Sequence, residues 1–364
     1  MVSQKLKKGF TTGACAAVAA KAAAQMLLRQ EAVTSISLIL QGEEKHFRIL
    51  EPVFTAENAS CYIIKDAGDD PDITNGAHIR ASVSWREDNS VRLRAGEGVG
   101  RVTKKGLPVA VGEPAINPVP RQMITEAVRE VIGYQQGLDI LLSIPGGEKL
   151  AKKTFNPRLG IEGGLSIIGT TGIVEPMSTS AWIKTLEMEC SVMAANGNRH
   201  WIGVPGNHGR DFAAGKLQLP VEKMLKFGNF PDTLLEQAEE HKAEVLLLVG
   251  HIAKMVKIAG GIFHLHSKVA DGRLEILTAA LVKCQAPYDL LEKVVNANTV
   301  EEAASIICQQ GPPDFFDRLS YMITEKAVRR TGEAVQVGTV IFSYEEGILG
   351  KCPQAAHILQ SSWR

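Results

Sequence analysis

The sequence has no surplus of either charge, no paired-cysteine motif and no apolar run of membrane-spanning length. Forty basic and forty acidic residues cancel, which argues against a nucleic-acid binder with a globally basic surface and leaves only a local basic patch. The six cysteines, Cys15, Cys61, Cys190, Cys284, Cys308 and Cys352, form no C-x-x-C pair, and no His/Cys cluster has zinc spacing. Reduced thiols, a cytoplasmic location and no metal site are therefore expected. No P-loop G-x-x-x-x-G-K-[ST] occurs. There is no long internal repeat, and no low-complexity segment beyond an alanine-rich start. That start, MVSQKLKKGFTTGACAAVAAKAAAQMLL, has lysines ahead of an apolar run, as a signal peptide does. Lys21 interrupts the run and alanine dominates it, so it reads as an amphipathic helix instead.

What is present suffices for a core. The chain has 364 residues, 45% hydrophobic and 22% charged, enough for two domains. Thr11 or Thr12 can cap a first helix over about 13–28. Short β-like runs follow at 35–40, 45–50, 61–65, 79–85 and 91–95, and their spacing predicts a mostly antiparallel sheet. A helix is expected at about 121–134, then a strand in DILLSIP. After Ser178 the pattern becomes strand, loop, helix: HWIGVPGNHGR, then AEVLLLVGHIAKMVKIAGG, helices through most of 270–331, and a late strand in AVQVGTVIFSY. Apolar, unalternating strands in that order predict a small parallel sheet. The expected domains are 1–178, α+β, and 179–364, parallel α/β.

Three kinds of segment could carry chemistry. The loops PGNHGR (205–210) and VGHIAK (249–254) would lie at the carboxyl edge of the parallel sheet, where open α/β sheets bind ligands. Helix N-termini there offer N–H groups to anions, and His208 and His251 each add a donor. The stretch KTFNPRLGIEGGLSIIGTTGIVEPMS (153–178) holds five glycines and shares Thr-Thr-Gly with residues 11–13, an arrangement suited to carboxylate or phosphate oxygens. Arg101, Lys104, Lys105, Arg121, Lys149, Lys152, Lys153 and Arg158 lie near such segments, and together they suggest a polyanionic ligand. GEGVGRVTKKGL (96–107) has the look of a dinucleotide or methyl-donor loop, but an extended, proline-rich run follows it. A Rossmann assignment is therefore rejected. KDAGDDPDIT does not fit a calcium loop, and HLH (264–266) would put two imidazoles on one side of a strand without a third metal ligand.

In order along the chain, GFTTGACAAVAAKAA, KDAGDDPD, GEGVGRVTKKGL, PAINPVPRQMI, NPRLGIEGGLSIIGTTGIVEPMS, VPGNHG and GIFHLHSKVAD resemble the cobalt-precorrin-5B (C1)-methyltransferase family, the CbiD type. The resemblance covers nearly the whole chain. It implies methyl transfer from S-adenosylmethionine to carbon 1 of a cobalt-bearing tetrapyrrole in anaerobic cobalamin biosynthesis, giving cobalt-precorrin-6A. It also implies two domains, a permuted ribosomal S5 domain-2-like α+β unit followed by a small parallel α/β unit, and not a Rossmann methyltransferase. Three departures from the family pattern fall in the second domain: Ala253 in GHIAK, Gly228 before Asn229-Phe230, and Gly272 in VADGR.

On that resemblance, Thr11, Thr12, Gly13, Arg121, Lys153, Arg158, Gly163, Gly164, Thr170, Thr171 and Gly172 are expected to bind the tetrapyrrole and its carboxylate arms. Gly206, Asn207, His208, Gly250 and His251 are expected to bind the methyl donor, an assignment that could be reversed. Asp66, Asp69 and Glu175 are candidate neighbours of the cationic sulfonium, and Asp70 or Glu97 a base if a proton must leave; Asp70, Glu97 and Glu175 make up the catalytic set. Cobalt arrives with the substrate. No nucleic acid or membrane is expected as partner, while a homo-oligomer and transient contact with neighbouring pathway enzymes stay open. Two other classes also stay open: a non-catalytic tetrapyrrole carrier, and a nucleotide-using small-molecule kinase, since S5-like topology occurs in such enzymes.

Overall fold

The computed structural model describes residues 6–363; residues 1–5 and 364 of the expected domains lie outside the described residues. The chain divides into two compact units, the first ending at Thr179 and the second beginning at Ser180. Both mix helices with sheets.

In the first unit a five-stranded sheet runs in the spatial order Leu50–Phe54, Asn58–Ile64, His78–Arg86, Gly137–Ser143, Val91–Ala95. Its first three pairings are antiparallel and the last is parallel. The parallel pair needs a long crossover, and the helix Pro118–Ile132 lies within it. Alternation sets the faces: Cys61, Ile63, Ile79, Ala81, Val83, Leu138, Ile140 and Leu142 point into the core.

The first helix, Thr12–Arg29, packs in that core and departs from the amphipathic reading. All residues from Thr11 to Ala20 are buried, so the helix is enclosed on every side. Alanine permits this, because it combines high helix propensity with a side chain small enough for sheet and second helix to approach together. Lys21 escapes by reaching Glu130 at 2.6 Å and the carbonyl of Ser37 at 3.2 Å. The expected strand at 45–50 is really two, Glu43–Arg48 and Leu50–Phe54. The first pairs only with Ser35–Leu40 as a separate hairpin.

In the second unit the strands lie in the order Met224–Lys226, His200–Val204, Val245–His251, Gln336–Ser343, Gly347–Lys351. The first four are parallel, and the last, which sequence reading missed, is an antiparallel edge. Apolar side chains leave both faces of the sheet, which accounts for the unalternating strands. Trp201, Leu246, Leu248 and Ile341 face one helical layer, and Ile202, Val204, Leu247, Val249 and Val340 face the other. From strand 200–204 the chain steps first to 224–226 on one side, then crosses to 245–251 on the other. That reversal is a topological switch point, and the crevice beyond the carboxyl ends of the two diverging strands is where such sheets take ligands.

Candidate functional site

At that switch point the second unit has a pocket of about 580 Å³ lined by residues 205–209, by Asn229, His251, Lys254, Lys257 and Tyr344, and by the loop reaching Arg273. Gly206 links strand to helix in extended backbone (φ 172°, ψ −163°). A Cβ built there would meet no atom within 4 Å. No side chain caps the helix Asn207–Gly215 that follows, so its first-turn amides are available to a ligand.

The second loop is built differently. His251 ends its strand and caps the next helix, Ile252–Ala259, its Nδ1 accepting the Ala253 N–H at 3.2 Å. Because Nδ1 accepts, the ring hydrogen sits on Nε2, which donates to the carboxylate of Glu301. Glu301 Oε1 also accepts the Tyr344 N–H at 3.1 Å, and its Oε2 is buried with no hydrogen-bond partner. Tyr344 stacks on the His251 ring, centroids 4.3 Å apart and planes 24° apart, and the His208 ring meets Tyr344 edge-on at 5.6 Å. The rim of the pocket is thus an aromatic shelf held by one carboxylate.

Cations form the opposite wall. Lys254 donates to Asn229 Oδ1 at 3.2 Å and to the Gly228 carbonyl at 3.4 Å. Burial, and then the nearby Lys257, hold the Lys254 pKa below the ordinary lysine value. Lys257 is only 2% exposed and donates to the carbonyls of Leu265 (3.0 Å) and Ala270 (2.7 Å). It thereby fastens the loop after its helix into the wall. Arg273 is paired with Asp271.

Of the donor-site residues expected from sequence, Gly206, Asn207, His208 and His251 line this pocket. Gly250 sits behind it, where a Cβ would come within 2.8 Å of Met255 and Pro205. Glu301, Tyr344, Lys254, Lys257 and Arg273 were not singled out. Glu301 and Tyr344 come from elements far along the chain, and only the (i, i+3) spacing of Lys254 after His251 placed anything nearby. HLH is not a strand: His264 packs edge-on against Phe230 at 5.1 Å, and His266 Nδ1 accepts the Lys268 N–H. The Gly228 and Gly272 departures have φ of +62° and +115°, a region that residues with a Cβ adopt poorly.

In the first unit the two Thr-Thr-Gly segments meet each other. The Thr11 N–H donates to the Gly172 carbonyl and the Gly13 N–H to that of Ile168, both at 3.0 Å. The Thr11 hydroxyl caps the first helix through Ala14 N–H, and the Thr12 hydroxyl accepts the Ile168 N–H at 2.9 Å. Thr11, Thr12 and Gly13 are buried by this joint, while Thr170 and Thr171 are exposed. Lys153, Arg158 and Gly163 are exposed, Gly164 is buried, and Arg121 is 3.9 Å from Glu113.

The acidic candidates gather around the N-terminal segment. Lys7 pairs with Asp66 and Lys8 with Glu175, each at 2.7 Å. Asp69 accepts the Lys7 N–H and Asp70 the Met177 N–H. The Lys7 hydrogen bond holds the Asp66 carboxyl below its ordinary value, and Lys8 does the same for Glu175. Glu97 is exposed on a separate turn. Beneath them Lys65, 1% exposed, pairs with Asp72 at 2.7 Å. Among the described residues no group of three His, Cys, Asp or Glu side chains could hold a metal ion, and no helix is long and apolar enough to cross a membrane.

Sheet, switch point and pocket define a two-unit α/β protein with a polar pocket on its parallel sheet. Comparison with known proteins gives the family. The CbiD family model matches residues 1–176, and that of the CbiD C-terminal domain matches 264–353. The chain is 47% identical over 358 residues to the cobalt-precorrin-5B C(1)-methyltransferase of Alkaliphilus metalliredigens, covering 98% of this chain and 95% of that one. It is 44% identical to the enzyme of the same name from Moorella thermoacetica, covering 98% of each. A crystal structure of the cobalamin biosynthesis protein CbiD from Archaeoglobus fulgidus is 25% identical, with 70% of this chain and 80% of that one covered and a TM-score of 0.36. The chain belongs to the CbiD family.

Proposed function

We propose that this protein transfers a methyl group from S-adenosylmethionine to carbon 1 of cobalt-precorrin-5B, giving cobalt-precorrin-6A, in anaerobic cobalamin biosynthesis in the cytoplasm. The observation that carries the reading is the 47% identity, over 98% of the chain, to a protein named for that reaction. A ring carbon of the substrate is the nucleophile and the sulfonium methyl the electrophile, so the chain need not supply a nucleophilic side chain. Its task is to bind, align and exclude water, and alignment alone contributes on the order of 7–11 kcal/mol to such a step.

The polar residues divide the work by charge. Acetate and propionate arms on the ring call for amide N–H groups and basic side chains. In the first unit the exposed Lys153 and Arg158 supply such groups, as do Arg121, Gly163 and the Thr170–Gly172 turn. The sulfonium calls for carboxylates or carbonyl oxygens: Asp66, Asp69 and Glu175 meet the segment at Lys7 and Lys8, and Asp70 accepts the Met177 N–H. Glu97 or Asp70 takes a proton if one leaves the ring. The finer topology of the first unit, a permuted ribosomal S5 domain-2 arrangement, accords with its mixed five-stranded sheet and its one parallel crossover through a helix.

The test is anaerobic incubation of the full chain with cobalt-precorrin-5B and donor carrying a carbon-13 methyl group. Label at carbon 1, dependent on protein, is the expected result. Tight binding of the ring with no label transferred would make the protein a carrier.

A further inference from the structure

The sheet-edge pocket, of about 580 Å³, has room for the methyl donor or for one edge of the macrocycle with its arms, so its charge must separate them. No aspartate or glutamate lines it, while Lys254, Lys257, Arg273 and three histidines do. Two acids stand nearby and both are engaged. Asp271 holds Arg273, and Glu301 lies behind His251, accepting from its Nε2 and from the Tyr344 N–H. The contacts of Lys254 and Lys257 are to neutral oxygens, those of Asn229, Gly228, Leu265 and Ala270. The pocket is therefore a half-buried concavity with two ammonium groups facing carbonyls, beside uncapped helix amides at Asn207.

S-adenosylmethionine fits that wall poorly. It carries a sulfonium, an ammonium and one carboxylate, so its net charge is positive, and like charges at short range in a partly desolvated site repel. A tetrapyrrole with several carboxylate arms is the complementary ligand, and one edge of the macrocycle with its arms fits the pocket. A carboxylate arriving at Lys254 would also offset the desolvation that now disfavours the ammonium.

Resting on the reading of the chain as a tetrapyrrole methyltransferase, we propose that the sheet-edge pocket of the second unit takes carboxylate arms of the ring, with Lys254 as their principal partner, and does not take the methyl donor. This takes the reverse of the assignment expected from the resemblance for Gly206–His208 and Gly250–His251.

The experiment titrates the full chain, wild type and Lys254→Gln, with three probes: a stable cobalt corrinoid with free carboxylates, the same corrinoid with those groups amidated, and S-adenosylhomocysteine. Lys254→Gln should weaken the free-acid corrinoid by about tenfold or more, the loss typical of a charge-assisted hydrogen bond. It should leave S-adenosylhomocysteine within about twofold, since no contact is removed. The amidated corrinoid should bind the wild type weakly and be indifferent to the substitution. Lys254→Arg keeps the charge and should restore most of the affinity, which separates lost recognition from lost folding. Loss of S-adenosylhomocysteine binding in a folded Lys254→Gln protein, with the corrinoid unaffected, would overturn the assignment. Lys254-dependent corrinoid binding without any methyl transfer would instead sink the methyltransferase reading and leave the carboxylate site standing.

Discussion

In the first unit a Cβ on Gly98 would lie 1.9 Å from the carbonyl oxygen of Ile144, and one on Gly164 would lie 2.2 Å from the backbone of Gly98. In the second unit a Cβ on Gly206, Gly261 or Gly272 would meet nothing within 4 Å. One residue type thus does two jobs. Glycines of the first unit let main chain pass over main chain, joining the 96–100 turn, the 144–147 turn and the 161–165 segment into one packed knot. Gly206, at the sheet edge of the second unit, leaves space that a ligand can occupy. Charge follows the same division. The first unit has clustered or partly buried carboxylates paired with lysines, whereas the pocket of the second has lysines without a carboxylate lining it.

The largest loss of stability is expected at Gly98. Its φ of +70° already favours glycine, and Gly98→Ala should cost about 4 kcal/mol, the upper end of single-residue effects. Chemical denaturation of the purified variant measures it, and a loss below about 1 kcal/mol would mean that the knot relaxes freely. Next comes Lys65→Met. It leaves the Asp72 carboxylate without its buried cation and should cost about 3 kcal/mol in the same experiment.

A smaller effect should appear in acid. Burial raises the Asp72 pKa, but hydrogen bonds from Lys65 and Thr74 outweigh it, and the net direction is down from the ordinary 3.8. A depressed carboxylate stabilises the fold above its unfolded-state value, and that stability is lost as pH falls through the folded one. Melting temperatures should therefore fall below about pH 4, and less steeply in Asp72→Asn. Equal slopes for the two proteins would remove Asp72 from the acid response. The smallest stability effect belongs to Gly206→Ala, where the backbone is extended and the space open. Stability should change by less than about 0.5 kcal/mol, while the added methyl group weakens ligand binding about threefold. A large loss of stability there would show that the edge glycines pack as those of the first unit do.

Much of this was legible in the sequence, and the rest was hidden for physical reasons. The run VLLLVGH announced a strand buried on both faces, and the glycines after Val204 and Val249 marked the loops at its edge. The first helix was found, but alanine has the same face on every side, so enclosure and amphipathicity look alike in sequence. The five glycines of 153–178 could not be sorted by inspection into those that open space and those that close it, because the sorting depends on what passes alongside. Gly163 turns with φ +78° in open space, whereas Gly164, its neighbour, is wedged against Gly98. Sequence reading also missed the carboxylate behind the pocket. Glu301 is 50 residues from His251, and only the packing of the helix Val300–Gln310 near the sheet's carboxyl edge brings them together.

The most direct measurement is amide hydrogen exchange on the full chain, saturated in turn with the free-acid corrinoid and with S-adenosylhomocysteine. The corrinoid should protect the amides of residues 206–209 and 251–254, and S-adenosylhomocysteine should leave them unchanged. Protection of those amides by S-adenosylhomocysteine and not by the corrinoid would contradict it.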